Sequence, residues 1–169
     1  MNTILSTFTL IILAFSCKGF QTKKQNSETE TVYYFIRHAE KELSGNNPNL
    51  TEEGIARTKR WVQYFSDKNI DYVYSTSLNR TQQTAIPIAE SQQLSVIDYD
   101  PNQLLDKDFL TKTKGKSTII VGHSNTNPDL VNTLIKKQKY SDIEESEYGI
   151  VITVKLKDEQ FTDTKTVIE

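Results

Sequence analysis

Val32-Tyr33-Tyr34-Phe35-Ile36-Arg37-His38-Ala39-Glu40 is an apolar run that ends abruptly in an arginine and a histidine. A run of β-branched and aromatic residues predicts a strand buried on both faces, as in the parallel sheets of α/β proteins. Arg37 and His38 then stand at its C-terminal edge, where loops leaving the carboxyl ends of the strands open a ligand crevice. The chain has two histidines, and the second, His123, closes a similar run, Thr118-Ile119-Ile120-Val121-Gly122-His123. If these two strands are parallel neighbours, both imidazoles reach one crevice.

The 169 residues, 36% of them apolar, suffice for a single core of ordinary size. A formal charge of -2, with no basic stripe interleaved with aromatics, argues against a nucleic-acid surface. Any positively charged site must therefore be local.

Ile4 to Phe15 is almost uninterrupted apolar or hydroxyl sequence, about twelve residues where a membrane-spanning helix needs roughly twenty. It fits the apolar region of a secretory signal, and Leu13-Ala14-Phe15-Ser16-Cys17 resembles a bacterial lipobox, in which the signal is cut before a lipid-modified cysteine. Cys17 is the only cysteine, so no disulfide can form within the chain. The expected organisation is a lipoprotein-type signal over residues 1–16, a lipidated Cys17 with a polar tether over 17–30, and one domain over 31–169. The expected location is the cell envelope, with membrane contact through the lipid anchor alone.

Beyond the first strand, Lys41 to Asn49 is a turn-rich loop with Gly45, Asn46, Asn47 and Pro48. Thr51 reads as a helix N-cap followed by two acids, and Ile55, Trp61, Val62 and Phe65 supply an apolar stripe. Ile70 to Ser75 predicts a second strand, and Leu78 onward a helix that bends or ends near Pro87. Ser95 to Tyr99 predicts a third strand, and Pro101 to Lys112 a loop or short helix. Pro128 fits the first turn of a helix through Lys137, with Leu130, Val131, Leu134 and Ile135 inward. Tyr148 to Leu156 and Gln160 to Ile168 predict an antiparallel pair turning at Asp158 and Glu159.

Arg80 falls in the first turn of its helix, where the macrodipole disfavours positive charge. An anion between helix end and guanidinium would remove that conflict. Two histidines and two arginines suit a phosphoryl group: Arg37, Arg80 and His123 can hold its oxygens while neutral His38 attacks phosphorus. Two other readings compete with this one. One is a metal hydrolase on His38, His123 and a carboxylate such as Glu40 or Asp106, disfavoured by the arginines beside the cation. The other is a surface lipoprotein that binds a phosphorylated ligand without turnover.

Arg37-His38-Ala39-Glu40, Leu50-Thr51 before Gly54, Ser75-Thr76-Ser77 before Arg80 with Gln83-Thr84-Ala85, and Gly122-His123-Ser124-Asn125-Thr126 together resemble the histidine phosphatase superfamily, on its phosphoglycerate-mutase-like first branch. The resemblance covers Val32 to about Leu156. It implies an α/β three-layer sandwich, with a mainly parallel central sheet flanked by helices and an antiparallel hairpin at the C-terminal edge. It implies no metal and no cofactor, catalysis by His38, Arg37, Arg80 and His123, and a substrate that is a small phosphorylated molecule or a phosphoprotein. Arg37, Arg80, His123, Asn125 and Glu40 are the expected substrate-binding residues. Ser124 after the second histidine, where the acid-phosphatase branch usually has aspartate, argues against that branch. The proton donor departs from the family pattern: Asp106 is the first candidate after the third strand and Asp100 the second, an economy similar to the short bacterial phosphohistidine phosphatases. With little chain available for a lid, hydrolysis is expected over mutase activity.

Overall fold

The structure, a computed structural model, describes residues 29–169. The signal over 1–16, Cys17 and the tether up to residue 28 lie outside the described residues. Among the described residues, no helix is long and apolar enough to cross a membrane.

Ten elements follow in the order β1 Thr31–Arg37, α1 Glu52–Phe65, β2 Tyr72–Ser75, α2 Asn79–Ser91, β3 Val96–Asp98, α3 Lys107–Lys112, β4 Ser117–Gly122, α4 Thr126–Ile135, β5 Ile150–Lys157 and β6 Gln160–Val167. They build a six-stranded sheet in the order β3-β2-β4-β1-β5-β6. The first four of these strands are mutually parallel, while β5 and β6 are antiparallel. Because β4 inserts between β1 and β2, the connections on either side of β1 diverge, and the carboxyl ends of β1, β2 and β4 frame a crevice.

Alternation along the buried strands feeds two cores. Tyr33 and Phe35 of β1 face Leu130, Val131 and Leu134 of α4 and Phe109 of α3. Ile36 faces the other way, toward Trp61 and Phe65 of α1 and Ala85 and Ile88 of α2. Helices thus cover both faces of the sheet, giving the expected three layers. Phe35, Ile36, Ile119 and Ile120 are at most 1% exposed, which is why both central strands read as continuous apolar runs.

Local rules account for most boundaries. Thr51 caps α1 by accepting from the Gly54 backbone N–H. Its buried stripe is Gly54, Thr58, Trp61 and Phe65, so Ile55, expected inward, instead stands 51% exposed. The stripe is rotated because Gly54 lets α1 pack against the loop after β1: a Cβ there would lie 2.2 Å from the Glu40 carbonyl oxygen. Helix α2 does not end at Pro87, one of the two expected outcomes, but runs through it to Ser91, because Ile88 and Ala89 bury beyond it. At the β5–β6 turn Asp158 and Glu159 both adopt positive φ, 49° and 62°, the backbone of a two-residue primed hairpin turn.

Candidate active site

The register between β1 and β4 sets the geometry. Arg37 pairs with Gly122, so the residues that follow, His38 and His123, leave adjacent parallel strands at the same height. The His38 backbone N–H donates to the Gly122 carbonyl at 3.0 Å. The two imidazole centroids are 5.6 Å apart, edge to face. Gly122 has no space for a side chain: a Cβ would lie 2.2 Å from Asn127 Oδ1 and 2.7 Å from the Tyr99 hydroxyl.

Hydrogen bonds assign the tautomers. His38 Nδ1 lies 2.7 Å from the Ala39 carbonyl, which can only accept, so Nδ1 carries the proton and Nε2 keeps its lone pair. The Ala39 N–H donates in turn to Thr84 Oγ1, whose hydroxyl donates to the Arg80 carbonyl, tying this loop to α2. At His123, Nδ1 accepts from Arg80 Nη2 at 3.5 Å, so Nε2–H donates to Thr76 Oγ1 at 3.1 Å. Thr76 passes the chain to Thr81, whose hydroxyl ends on the backbone carbonyls of Thr76 and Leu78.

Both rings are held neutral. Burial is the largest cause for each, reinforced by the two guanidinium groups: it lowers His38 to about 3, against the Ala39 hydrogen bond that favours its charged form, and lowers His123 to about 4. Burial likewise lowers the Arg80 pKa, partly offset by the carboxylate of Glu145. His38 is 3% exposed and Arg37 3%. Among the described residues, Nε of Arg37 and Nε of Arg80 are buried without a hydrogen-bond partner. Two unanswered guanidinium donors thus lie beside two neutral imidazoles, an arrangement suited to an anion.

Arg37 also braces its surroundings. Its Nη1 donates to the carbonyls of Glu144, Glu145 and Glu147 at 2.9, 3.2 and 3.0 Å. Nη2 donates to Glu145 Oε2 at 2.9 Å, and the guanidinium carbon sits 4.4 Å from the Tyr148 ring centroid. Sequence reasoning missed this contact. The stretch Asp142-Ile143-Glu144-Glu145-Ser146-Glu147 reads as a solvated acidic loop, and nothing in its spacing points to an arginine more than a hundred residues earlier.

The remaining expected residues are placed as follows. Asp106 is the N-cap of α3, its Oδ1 accepting from the Phe109 N–H at 2.7 Å, so its carboxylate is committed to a helix end and not to the histidines. Asp100, the second candidate, lines a cleft of about 590 Å3 with Thr76, Leu78, Asp98, Tyr99 and His123. Glu40 faces Arg57 in place of the anion site, its oxygens 2.8 and 2.9 Å from Arg57 Nε, so it anchors α1 to the loop after His38. Asn125 is exposed at the N-cap position of α4 and makes no side-chain capping bond. Among the described residues, no three His, Cys, Asp or Glu side chains are grouped so as to hold a metal ion. The two carboxylates of the metal-hydrolase reading are the ones engaged by Arg57 and by α3.

Residues 33–102 match the family model for the histidine phosphatase superfamily, branch 1. A match aligned over 72 residues is 39% identical to phosphoserine phosphatase 1 of Hydrogenobacter thermophilus; it covers 38% of this chain and about a third, 34%, of that relative's length. Among solved structures, a mycobacterial glucosyl-3-phosphoglycerate phosphatase superimposes with a TM-score of 0.64 at 12% identity, covering 82% of this chain and 98% of that one. A phosphoglycerate mutase from Bacillus anthracis gives a TM-score of 0.64 at 13% identity, over 83% and 94% of the two chains. The likeness to these two structures is one of fold, and the sequence match places the first histidine strand, α1 and the Arg80 helix in the same family frame. Over residues 33–102 the chain is similar to the histidine phosphatase superfamily, branch 1, and over most of its length it shares the fold of the two solved structures.

Proposed function

We propose that this protein is a metal-independent phosphatase that works through a phosphohistidine on His38. The observation that carries the reading is the His38 tautomer. With Nδ1–H committed to the Ala39 carbonyl, the Nε2 lone pair is available for attack on phosphorus without a separate base. Arg37 and Arg80 then supply donors to the equatorial oxygens, where charge accumulates in the transition state. His38 Nε2 bonds to phosphorus as the bond to the leaving group breaks, and the leaving group takes a proton from Asp100 or from solvent. In the second step water attacks phosphorus as the P–Nε2 bond breaks, its proton passing to Asp100 or to solvent, which releases orthophosphate and restores neutral His38.

The substrate class is a phosphomonoester or phosphoramidate small enough for the cleft beside His123. The relatives named above support phosphatase chemistry in general and leave the leaving group open. His38→Ala should abolish hydrolysis of p-nitrophenyl phosphate, chelator should leave the native protein active, and a phosphoenzyme trapped from labelled substrate should be acid-labile and map to His38. Phosphate binding with no turnover and no trapped intermediate would instead support the non-catalytic reading.

From the lipobox-like Leu13-Ala14-Phe15-Ser16-Cys17 we further propose that the domain is held at the cell envelope by a lipidated Cys17. Cys17→Ala should move the protein from the membrane fraction to the soluble fraction, and unchanged fractionation would remove the anchor from the account.

A further inference from the structure

Glu145 stands where an anionic substrate would have to go. Its Oε2 accepts from Arg37 Nη2 at 2.9 Å, and its Oε1 accepts from Ser124 Oγ at 3.0 Å, one residue beyond His123. The carboxylate interacts electrostatically with Lys41 and His38, and Arg80 feels it in turn. Glu145 therefore draws on the cations and the loop that a phosphoryl group would use. We infer that Glu145 is the anion site's resident competitor: its carboxylate holds Arg37 in the ligand-free protein, and the substrate phosphoryl group displaces it.

This inference rests on the phosphate reading of the site and adds a residue that sets its affinity. Three details make displacement the expected behaviour. The Glu145 side chain is 72% exposed although its partner guanidinium is 2% exposed, so the carboxylate can swing into water while Arg37 stays. The loop that carries it is held by other bonds, the carbonyls of Glu144, Glu145 and Glu147 on Arg37 Nη1 and the Ile143 N–H on the Ser124 carbonyl. Only side-chain torsions need change. Finally, two anions cannot share one Nη2 group without repulsion, so a bound phosphoryl group and a docked Glu145 exclude one another.

The kinetic consequence is a division between KM and kcat. Docked Glu145 weakens substrate and orthophosphate alike, raising KM and hastening product release, and it makes no contact specific to the transition state. The test is inhibition of p-nitrophenyl phosphate hydrolysis by orthophosphate, with direct calorimetric titration of orthophosphate, on the full chain and on Glu145→Gln and Glu145→Ala. Both variants should bind orthophosphate about tenfold more tightly, the scale of one lost charge-assisted hydrogen bond. Both should show a correspondingly lower KM with kcat unchanged or reduced by slower product release. Asp142→Asn, which removes another charge of the same acidic run, should alter neither constant. Unchanged or weaker orthophosphate binding in both Glu145 variants, with native turnover intact, would overturn the competitor role and leave the phosphatase reading standing. Absence of orthophosphate binding and of turnover in native and variant proteins alike would overturn both.

Discussion

Arg37 and Gly122 are register partners on the two central parallel strands, and this one pairing delivers His38 and His123 to the same height at the sheet edge. Asn127 Oδ1 and the Tyr99 hydroxyl occupy the space that a side chain at position 122 would need. Gly122→Ala would push a methyl group into both, at 2.2 and 2.7 Å. The expected cost is about 1–3 kcal/mol, as for overpacked cores, with a loss of activity larger than the loss of folded protein because His123 shifts. Denaturant melts and activity at a matched folded fraction check it, and a fully active, equally stable variant would contradict it.

His38 is the nucleophile in the proposed mechanism, so its replacement should be far more damaging than that of any residue beside it. His38→Ala is expected to lower kcat by at least about 10³-fold, and added imidazole should restore part of the rate by taking the place of the missing ring. Steady-state assays with and without imidazole decide this.

Arg80 is expected to act on the transition state. Arg80→Ala should reduce kcat/KM by about 10²–10³-fold, and Arg80→Lys should recover only a small part, since a point charge cannot reproduce the guanidinium fork. Recovery of most activity by lysine would show that charge alone suffices.

Acid should loosen the fold through the histidines. Burial holds His38 at about 3 and His123 at about 4 in the folded chain, while an unfolded histidine takes its proton near about 6.5. Below that pH the unfolded chain binds more protons than the folded one, so stability is fully present above about 6.5 and declines as pH falls toward about 4. Between pH 7 and 5 the expected loss is on the order of 2 kcal/mol from His38, with a smaller addition from the less buried His123. Urea melts at the two pH values measure it, and an unchanged slope in a variant lacking both histidines would assign the loss elsewhere. A bound phosphate reverses the local field and favours the imidazolium forms, so orthophosphate binding near pH 5–6 should take up protons, read as buffer-dependent binding enthalpy.

The two aspartates after β3 should separate cleanly. Asp106→Ala removes the α3 cap and should cost about 1 kcal/mol of stability with catalysis intact. Asp100→Asn, in the cleft beside His123, should slow alkyl phosphates and spare p-nitrophenyl phosphate, whose leaving group needs no proton. Equal effects on both substrates would remove Asp100 as donor.

Much of the site was legible because strand composition and its abrupt polar end are local signals: the Ile36-Arg37-His38 and Gly122-His123 breaks mark the sheet edge directly. The buried strands and the Asp158-Glu159 hairpin followed from burial runs and turn chemistry, while their mainly parallel order came with the family resemblance. What stayed hidden depended on contacts distant in sequence. Asp106 carries the same residue type whether it protonates a leaving group or caps a helix, and only the placement of α3 separates the two. Ile55 lost its inward place to Gly54 because of the Glu40 carbonyl fourteen residues upstream. Glu145 reaches Arg37 across the β1–β5 side of the sheet, a closure that no periodicity encodes.

The three carbonyls gathered by Arg37 Nη1 give that residue two duties at once. A lysine there offers a single tetrahedral nitrogen, unable to span the peptide groups on one side and face a ligand on the other. Any exchange at this position therefore releases the loop from Glu144 to Glu147 together with the charge beside His38. The Arg80 side chain, by contrast, meets its neighbours through Nη2, 3.5 Å from His123 Nδ1, so varying it disturbs that imidazole and leaves the 144–147 loop in place.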